Sequence, residues 1–150
     1  MKKFLSFLTV ALILFTALAS LVSCSSGNGG YVDYNKKYKS GENIYYVFKS
    51  DKTGYCEYDS YSGKDYTLSG RIDFVWRRAS DGAVHLFETD IEYYEDHTDG
   101  KDLTLISDPI YFSDEFFTYT VDHGIGSYAK YYIKEGSKLE KELMTTDSET

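Results

Sequence analysis

Short apolar runs separated by turn residues constrain the fold of this chain more than any other feature. Between residues 31 and 136, aromatic and β-branched residues form these runs, and turn signals recur about every eight to twelve positions. Such spacing is typical of antiparallel sandwiches and barrels, and helical periodicity is nearly absent. Because 150 residues allow one domain but hardly two, we expect a single all-β domain over residues 31–136.

The clearest strand covers residues 71–78. Ile72, Phe74 and Trp76 alternate with polar or outward-facing neighbours, so all three lie on one face, which we expect to face the core. Asp81-Gly82 then supplies residues that tolerate a tight turn, and a second apolar run follows at 83–89. The pattern predicts a β-hairpin.

Similar signals predict the rest of the sheet. Residues 44–50 and 54–60 flank a turn at 51–54 and form a second predicted hairpin. Further strands are predicted at 66–70, where the run leads into the strand at 71–78, and at 102–107, 110–112, 115–121 and 127–134. The expected fold is a single small antiparallel β-barrel of about eight to ten short strands, with a β-sandwich as the alternative.

The last 14 residues, 137–150, differ in pattern from the rest. Leu139 and Leu143 lie four positions apart, as do Lys138 and Glu142, and Ser137 precedes them as a helix-capping residue. We therefore expect a short C-terminal helix followed by a frayed polar tail.

The N-terminus has the layout of an export signal. Lys2 and Lys3 precede an apolar run at 4–22, and the run leads into Leu21-Val22-Ser23-Cys24. This segment resembles the lipobox of bacterial lipoproteins. The resemblance implies that residues 1–23 are a signal peptide and that Cys24 carries lipid, which holds the domain outside the cytoplasm on the cell membrane or outer membrane. An uncleaved membrane anchor is the alternative.

The mature chain would be more acidic than the whole sequence. Cleavage before Cys24 removes Lys2 and Lys3 but no carboxylate, so the formal charge changes from −8 to −10. This charge excludes nucleic acid as a partner and predicts that lipid, rather than the protein surface, holds the domain at the membrane. Small polar residues at 24–30 predict a flexible tether. With Cys24 lipidated, Cys56 has no disulfide partner, and we expect it to be a small buried hydrophobe.

No motif for catalysis or metal binding stands out. His85, His97 and His123 share no metal-ligand spacing, and neither a Gly-x-Ser-x-Gly elbow nor a phosphate-binding loop is present. The acidic stretch from Asp90 to Asp102 is the best candidate for calcium, but it departs from the calcium-loop pattern at two positions. We favour a solvated rim there and expect no cofactor, no metal and no enzymatic activity; calcium binding at this stretch stays open.

Trp76 and Arg78 lie two positions apart on one strand and therefore share a face. With the lipobox and the short hairpins, an inward Trp beside a cation resembles the lipocalin-like small β-barrel lipoproteins. The Gly-x-Trp sequence of lipocalins is missing here, because Phe74-Val75 precedes Trp76. The candidate ligand-binding residues are Trp76, Arg78, Tyr46 and Phe74, and core packing is the alternative role for Trp76.

The 16 Tyr residues favour binding over catalysis, because a flat ring with a polar tip suits an interface. Our leading hypothesis is a monomeric, lipid-anchored, non-enzymatic binding module for a small ligand, a glycan or a protein. The alternative is an inhibitor of an envelope-directed hydrolase such as lysozyme, whose basic surface an acidic domain would complement. Lipoproteins of that inhibitor class usually carry a disulfide, which this chain lacks.

Overall fold

The computed structural model describes residues 30–62, 67–94, 102–122 and 124–147. The predicted signal peptide, Cys24 and most of the tether lie outside these ranges, as do His97, His123 and the part of the acidic stretch at 95–101. The elements are β1 (Lys37–Lys39), β2 (Ile44–Phe48), β3 (Thr53–Ser62), β4 (Thr67–Arg78), β5 (Val84–Tyr93), β6 (Tyr111–Phe112), β7 (Phe116–Asp122), β8 (Ser127–Lys134) and α1 (Lys138–Asp147).

The strands form one antiparallel sheet in the order β5-β4-β3-β2-β1-β8-β7-β6. The sheet curls until its edge strands meet at a bridge between Val84 and Ile110, whose two N–H···O=C bonds measure 2.8 and 2.9 Å. Apart from the β1–β8 pair, neighbouring strands follow chain order, as in an up-and-down barrel. The all-β, barrel-like prediction is confirmed, and one continuous sheet replaces the sandwich alternative.

The predicted inward face of β4 is also confirmed. Ile72, Phe74 and Trp76 are 0%, 1% and 2% exposed, and their neighbours Asp73 and Val75 are only partly buried. Alternation of apolar and polar residues places one face of each strand inside the curled sheet. The hairpin predicted at 44–50 and 54–60 forms as β2 and β3.

The prediction of a strand at 102–107 is wrong. Among the described residues this segment pairs with no strand, although Leu103 and Ile106 are buried. The Tyr58 hydroxyl donates a hydrogen bond of 2.7 Å to the carbonyl of Thr104. Within the described residues, side-chain contacts such as this bond, rather than strand pairing, hold the segment against the sheet.

Aromatic rings fill the interior of the sheet. Tyr38, Phe48, Phe112 and Phe117 pack so closely that the ring centroids of every pair lie 5.0–5.9 Å apart. Edge-to-face pairs of this kind add about 0.5–1.5 kcal/mol each beyond the burial of area. A barrel-like sheet of this size is filled by its own side chains, so any ligand site must lie at its ends.

The two ends of the sheet differ. The chain enters at one end, where Gly30 N–H donates to Phe112 O at 2.9 Å and Asn35 N–H donates to Phe48 O at 2.8 Å. We call this the tether end; it also contains the β2–β3 and β4–β5 turns. The opposite end, where β3 and β5 finish, is the mouth end. Within the described parts of the chain, no helix is long and apolar enough to cross a membrane.

Candidate functional site

The four predicted ligand-binding residues do not surround one cavity. Tyr46 and Phe74 are each 1% exposed, and their ring centroids lie 6.1 Å apart in the core. Tyr46 also contributes to the floor of a pocket at the mouth end, whereas Trp76 and Arg78 line a pocket at the tether end. Phe74 lines neither pocket, so its observed role is packing between the two.

The larger cavity, which we call the mouth pocket, has a volume of about 500 Å³. It lies between the segment at 102–108 and the strands β7 and β8. Its lining residues are Glu42, Ile44, Tyr46, Tyr58, Tyr61, Leu68, Asp102, Thr104, Leu105, Ile106, Ser107, Asp108, Tyr119, Lys130 and Tyr132.

Tyrosines from four strands converge on the mouth pocket. In β3 the register against β4 shifts between Tyr58 and Tyr61, and the intervening Ser60 has a φ of 53°. This bulge inserts one extra residue and brings Tyr61 to the same side as Tyr58, with their ring centroids 6.0 Å apart. On the opposite wall, the rings of Tyr119 and Tyr132 lie 6.4 Å apart.

Charged groups surround these rings. Lys130 of β8 forms an ion pair with Glu42 of the β1–β2 turn. Asp102 and Asp108, from the segment at 102–108, also line the pocket. Burial raises the pKa of the Tyr119 hydroxyl, so this group stays protonated and can donate a hydrogen bond at neutral pH. The pocket thus offers aromatic faces, hydroxyl groups, carboxylates and one ammonium group.

A smaller cavity at the other end of the sheet, which we call the tether pocket, has a volume of about 180 Å³. Trp76 forms its inner wall, and the indole Nε1 donates to Thr53 O at 3.2 Å. Arg78 Nη2 donates to Gly30 O at 2.9 Å, which attaches the incoming chain to the end of β4. The remaining lining residues are Tyr31, Val32, Tyr34 and Lys52.

The cation over the Trp76 ring is Lys52, a residue that sequence reasoning missed. Its Nζ lies 3.9 Å from the ring centroid. Lys52 belongs to the β2–β3 turn and has a φ of 70°. Residues other than Gly, Asn and Asp seldom adopt this backbone conformation. The predicted turn at 51–54 indicated a tight bend there, but only the packing of β3 against β4 places this turn over Trp76.

No catalytic or metal-binding constellation is found in the residues that the structure describes. His85 is half-buried on β5 without a metal-binding partner set, and no three His, Cys, Asp or Glu side chains in the described ranges are grouped to hold an ion. The calcium hypothesis for Asp90 to Asp102 depends on residues 95–101, which lie outside those ranges.

Cys56 is completely buried, as expected for a small hydrophobe. Burial raises the pKa of its thiol to about 12, so almost none of it is the reactive thiolate at neutral pH. The mouth pocket and the tether pocket are the candidate sites because three of the four predicted ligand-binding residues line them. Comparison with known proteins finds no matching family model, no matching curated protein and no matching solved structure.

Proposed function

We propose that this protein is a lipid-anchored lipoprotein of the cell envelope that acts as a non-enzymatic binding module. Cys24 would carry the lipid, the domain would face outside the cytoplasm, and the mouth pocket would receive the ligand. One observation carries this proposal: a pocket of about 500 Å³ lies at the end of the sheet opposite to residue 30. A chain anchored near residue 30 would turn this pocket away from its anchor.

The lining of the mouth pocket favours a neutral or cationic ligand with many hydroxyl groups, such as a short glycan. The tyrosine rings offer flat apolar faces for the C–H faces of a sugar ring. The Tyr hydroxyls and the carboxylates of Glu42 and Asp102 offer donors and acceptors for its hydroxyl groups. Because carboxylates outnumber the single ammonium of Lys130, an anionic ligand would be repelled.

Neutral and acidic oligosaccharides test this proposal by calorimetry and glycan-array binding. We expect neutral glycans to bind and uronic-acid glycans to bind weakly. Replacing Tyr119→Ala removes one wall of the pocket, and we expect it to weaken glycan binding about tenfold, which corresponds to about 1.4 kcal/mol.

Tyr131→Ala is the matched control, because Tyr131 lies on the same sheet but is exposed on its outer face. This variant should bind glycans like the unaltered protein. Equal affinity of Tyr119→Ala and Tyr131→Ala, or no binding of any neutral glycan, would show that the mouth pocket is not the glycan site.

Inhibition of an envelope-directed hydrolase such as lysozyme is the second candidate function. Exposed carboxylates gather at the mouth end, where they would complement a basic enzyme; they include Glu42, Asp59, Glu92, Asp102 and Asp122. A lysis assay with and without the protein decides this point. Inhibition that weakens as salt rises supports the second function, and unchanged lysis removes it.

A further inference from the structure

The tether pocket contains a cation that has no acidic partner within the described residues. Lys52 Nζ lies over Trp76, and no carboxylate of residues 30–62, 67–94, 102–122 or 124–147 forms an ion pair with it. Arg78 supplies a second positive charge to the same pocket. Two cations beside one small cavity favour an anionic ligand.

Three carboxylates near the tether pocket form contacts within the fold. Asp33 pairs with Lys134, and Asp51 accepts hydrogen bonds from the backbone N–H and the hydroxyl of Thr53. Asp81 accepts the N–H of Ala83 at 3.0 Å. The cations around them face solvent or line the pocket, and they include Lys36, Lys49, Lys52, Arg77 and Arg78. The tether pocket itself is lined by two cations and no carboxylate, whereas the mouth pocket is lined by three carboxylates and one cation, so the two pockets differ in charge.

Aromatic side chains surround the cations of the tether pocket. Tyr31 is 86% exposed and Tyr34 is 43% exposed, and both line the pocket beside Trp76. Tyr and Trp are enriched at the interface between lipid and water, where Lys and Arg attract phosphate groups. The mouth end, with its carboxylates, has the opposite chemistry.

We propose that the tether pocket binds the phosphate of an anionic phospholipid headgroup, so that the tether end lies on the bilayer and the mouth pocket faces away from it. This inference rests on the proposed lipidation of Cys24, six residues before Gly30. A tether of this length spans roughly 14 Å, at about 5–6 Å times the square root of the residue number. The anchor would therefore hold the pocket within reach of the headgroups.

Fluorescence of Trp76 tests the inference directly, because it is the single Trp of the chain. The lipidated protein is reconstituted into vesicles that contain phosphatidylglycerol with brominated acyl chains, and bromine close to the indole quenches its emission. We expect strong quenching in these vesicles and at least half of it to be lost in the double variant Lys52→Asn, Arg78→Gln. Asn tolerates the positive φ of position 52, so the turn is preserved.

Arg71→Gln is the matched control. Arg71 lies on the same strand as Arg78, about 23 Å closer to the mouth end at about 3.3 Å per residue. This variant should be quenched like the unaltered protein, and the thermal midpoints of all variants verify that they are folded. Equal quenching of the double variant and Arg71→Gln would overturn the inference.

Two further measurements separate the possible failures. The mass of the N-terminal peptide reports lipidation, and an unmodified Cys24 would overturn the anchoring in the proposed function. A lipidated protein whose Trp76 is not quenched would overturn the headgroup inference alone. If inorganic phosphate shifts the Trp76 emission in detergent while vesicles do not quench it, the pocket is a site for free phosphate and the docking on a bilayer is wrong.

Discussion

Two glycines on the inner face of the sheet determine how closely the core packs. A Cβ atom at Gly54 would lie 2.5 Å from both Val47 O and the Phe74 ring, and one at Gly70 would lie 2.4 Å from Glu92 O. The absent side chains allow neighbouring groups to approach the backbone. Phe74 packs against β3 only because residue 54 is Gly.

We expect Gly54→Ala to destabilise the fold by about 1–3 kcal/mol, the usual cost of overpacking a core. Gly126→Ala is the control, because a Cβ atom there meets nothing within 4 Å. Urea unfolding measures both variants. Equal unfolding free energies for the two variants would contradict the close packing of Phe74 against β3.

At the residue scale, the sequence predicts burial better than it predicts contacts. Alternation along β4 correctly predicts that Trp76 faces inward, because burial follows from the position of a residue in its own strand. The cation over its ring is Lys52, which lies 24 positions earlier in the sequence. That contact depends on the pairing of β3 with β4, and no local pattern contains this information.

At the scale of elements, helix α1 shows how a short helix is fixed at its start. The Ser137 hydroxyl accepts the N–H of Glu140 at 3.1 Å, and the Glu140 carboxylate accepts the N–H of Gly136 at 2.6 Å. Glu115, from the β6–β7 turn, accepts the N–H groups of Lys138 and Leu139. These bonds satisfy amides that would otherwise lack partners.

Ser137→Ala should therefore destabilise α1 by about 1 kcal/mol, the typical cost of losing a capping side chain. Because the aromatic core lies within the sheet, we expect faster hydrogen exchange in residues 138–147 and little change in β2 to β4. Ser127→Ala, at an exposed strand start, serves as the control. Faster exchange across the whole sheet would show that α1 supports the core instead of resting on it.

The sequence best predicts the strands whose flanking turns contain residues that specify a bend. The hairpins at 51–54 and 81–82 have Gly and Asp residues that specify a bend, and β8 has the expected bounds. β1 was not predicted, because three residues are too few to show a period of two. Residues 102–105 alternate between polar and apolar side chains, but the segment pairs with no described strand, and a strand also requires a neighbour.

At the scale of the whole molecule, two pockets lie at opposite ends of a filled sheet and differ in charge. The pocket at the end where the chain enters is lined by cations, and carboxylates line the mouth pocket. Net charge alone predicts that the whole surface avoids anionic lipid, whereas the distribution of charge gives each end its own affinity. The proposed anchor and the proposed ligand site thus use different surfaces of one domain.

The tyrosines of the core also make the whole fold sensitive to alkaline pH. Burial raises the pKa of Tyr38 to about 12 and raises those of Tyr46 and Tyr132 well above their usual value. Unfolded Tyr has a pKa of about 10. A raised pKa in the folded state means that the unfolded chain loses its protons first, so the contribution of these tyrosines to stability is complete below about pH 10 and decreases as the pH rises toward 12.

We expect the free energy of unfolding to fall above pH 10 by about 1.4 kcal/mol per pH unit for each buried hydroxyl that resists ionisation. The Cys56 thiol, whose pKa is raised to about 12, adds to this loss from about pH 8.5 upward.

Tyr132→Phe keeps the stacked contact with Phe117, at 4.8 Å, but removes one ionising group, so its unfolding free energy should fall less steeply. Tyr131→Phe, half-exposed on the outer face, is the control and should retain the original slope. Urea unfolding from pH 8 to about pH 12 measures these slopes, and identical slopes for the two variants would show that Tyr132 does not contribute to the alkaline transition.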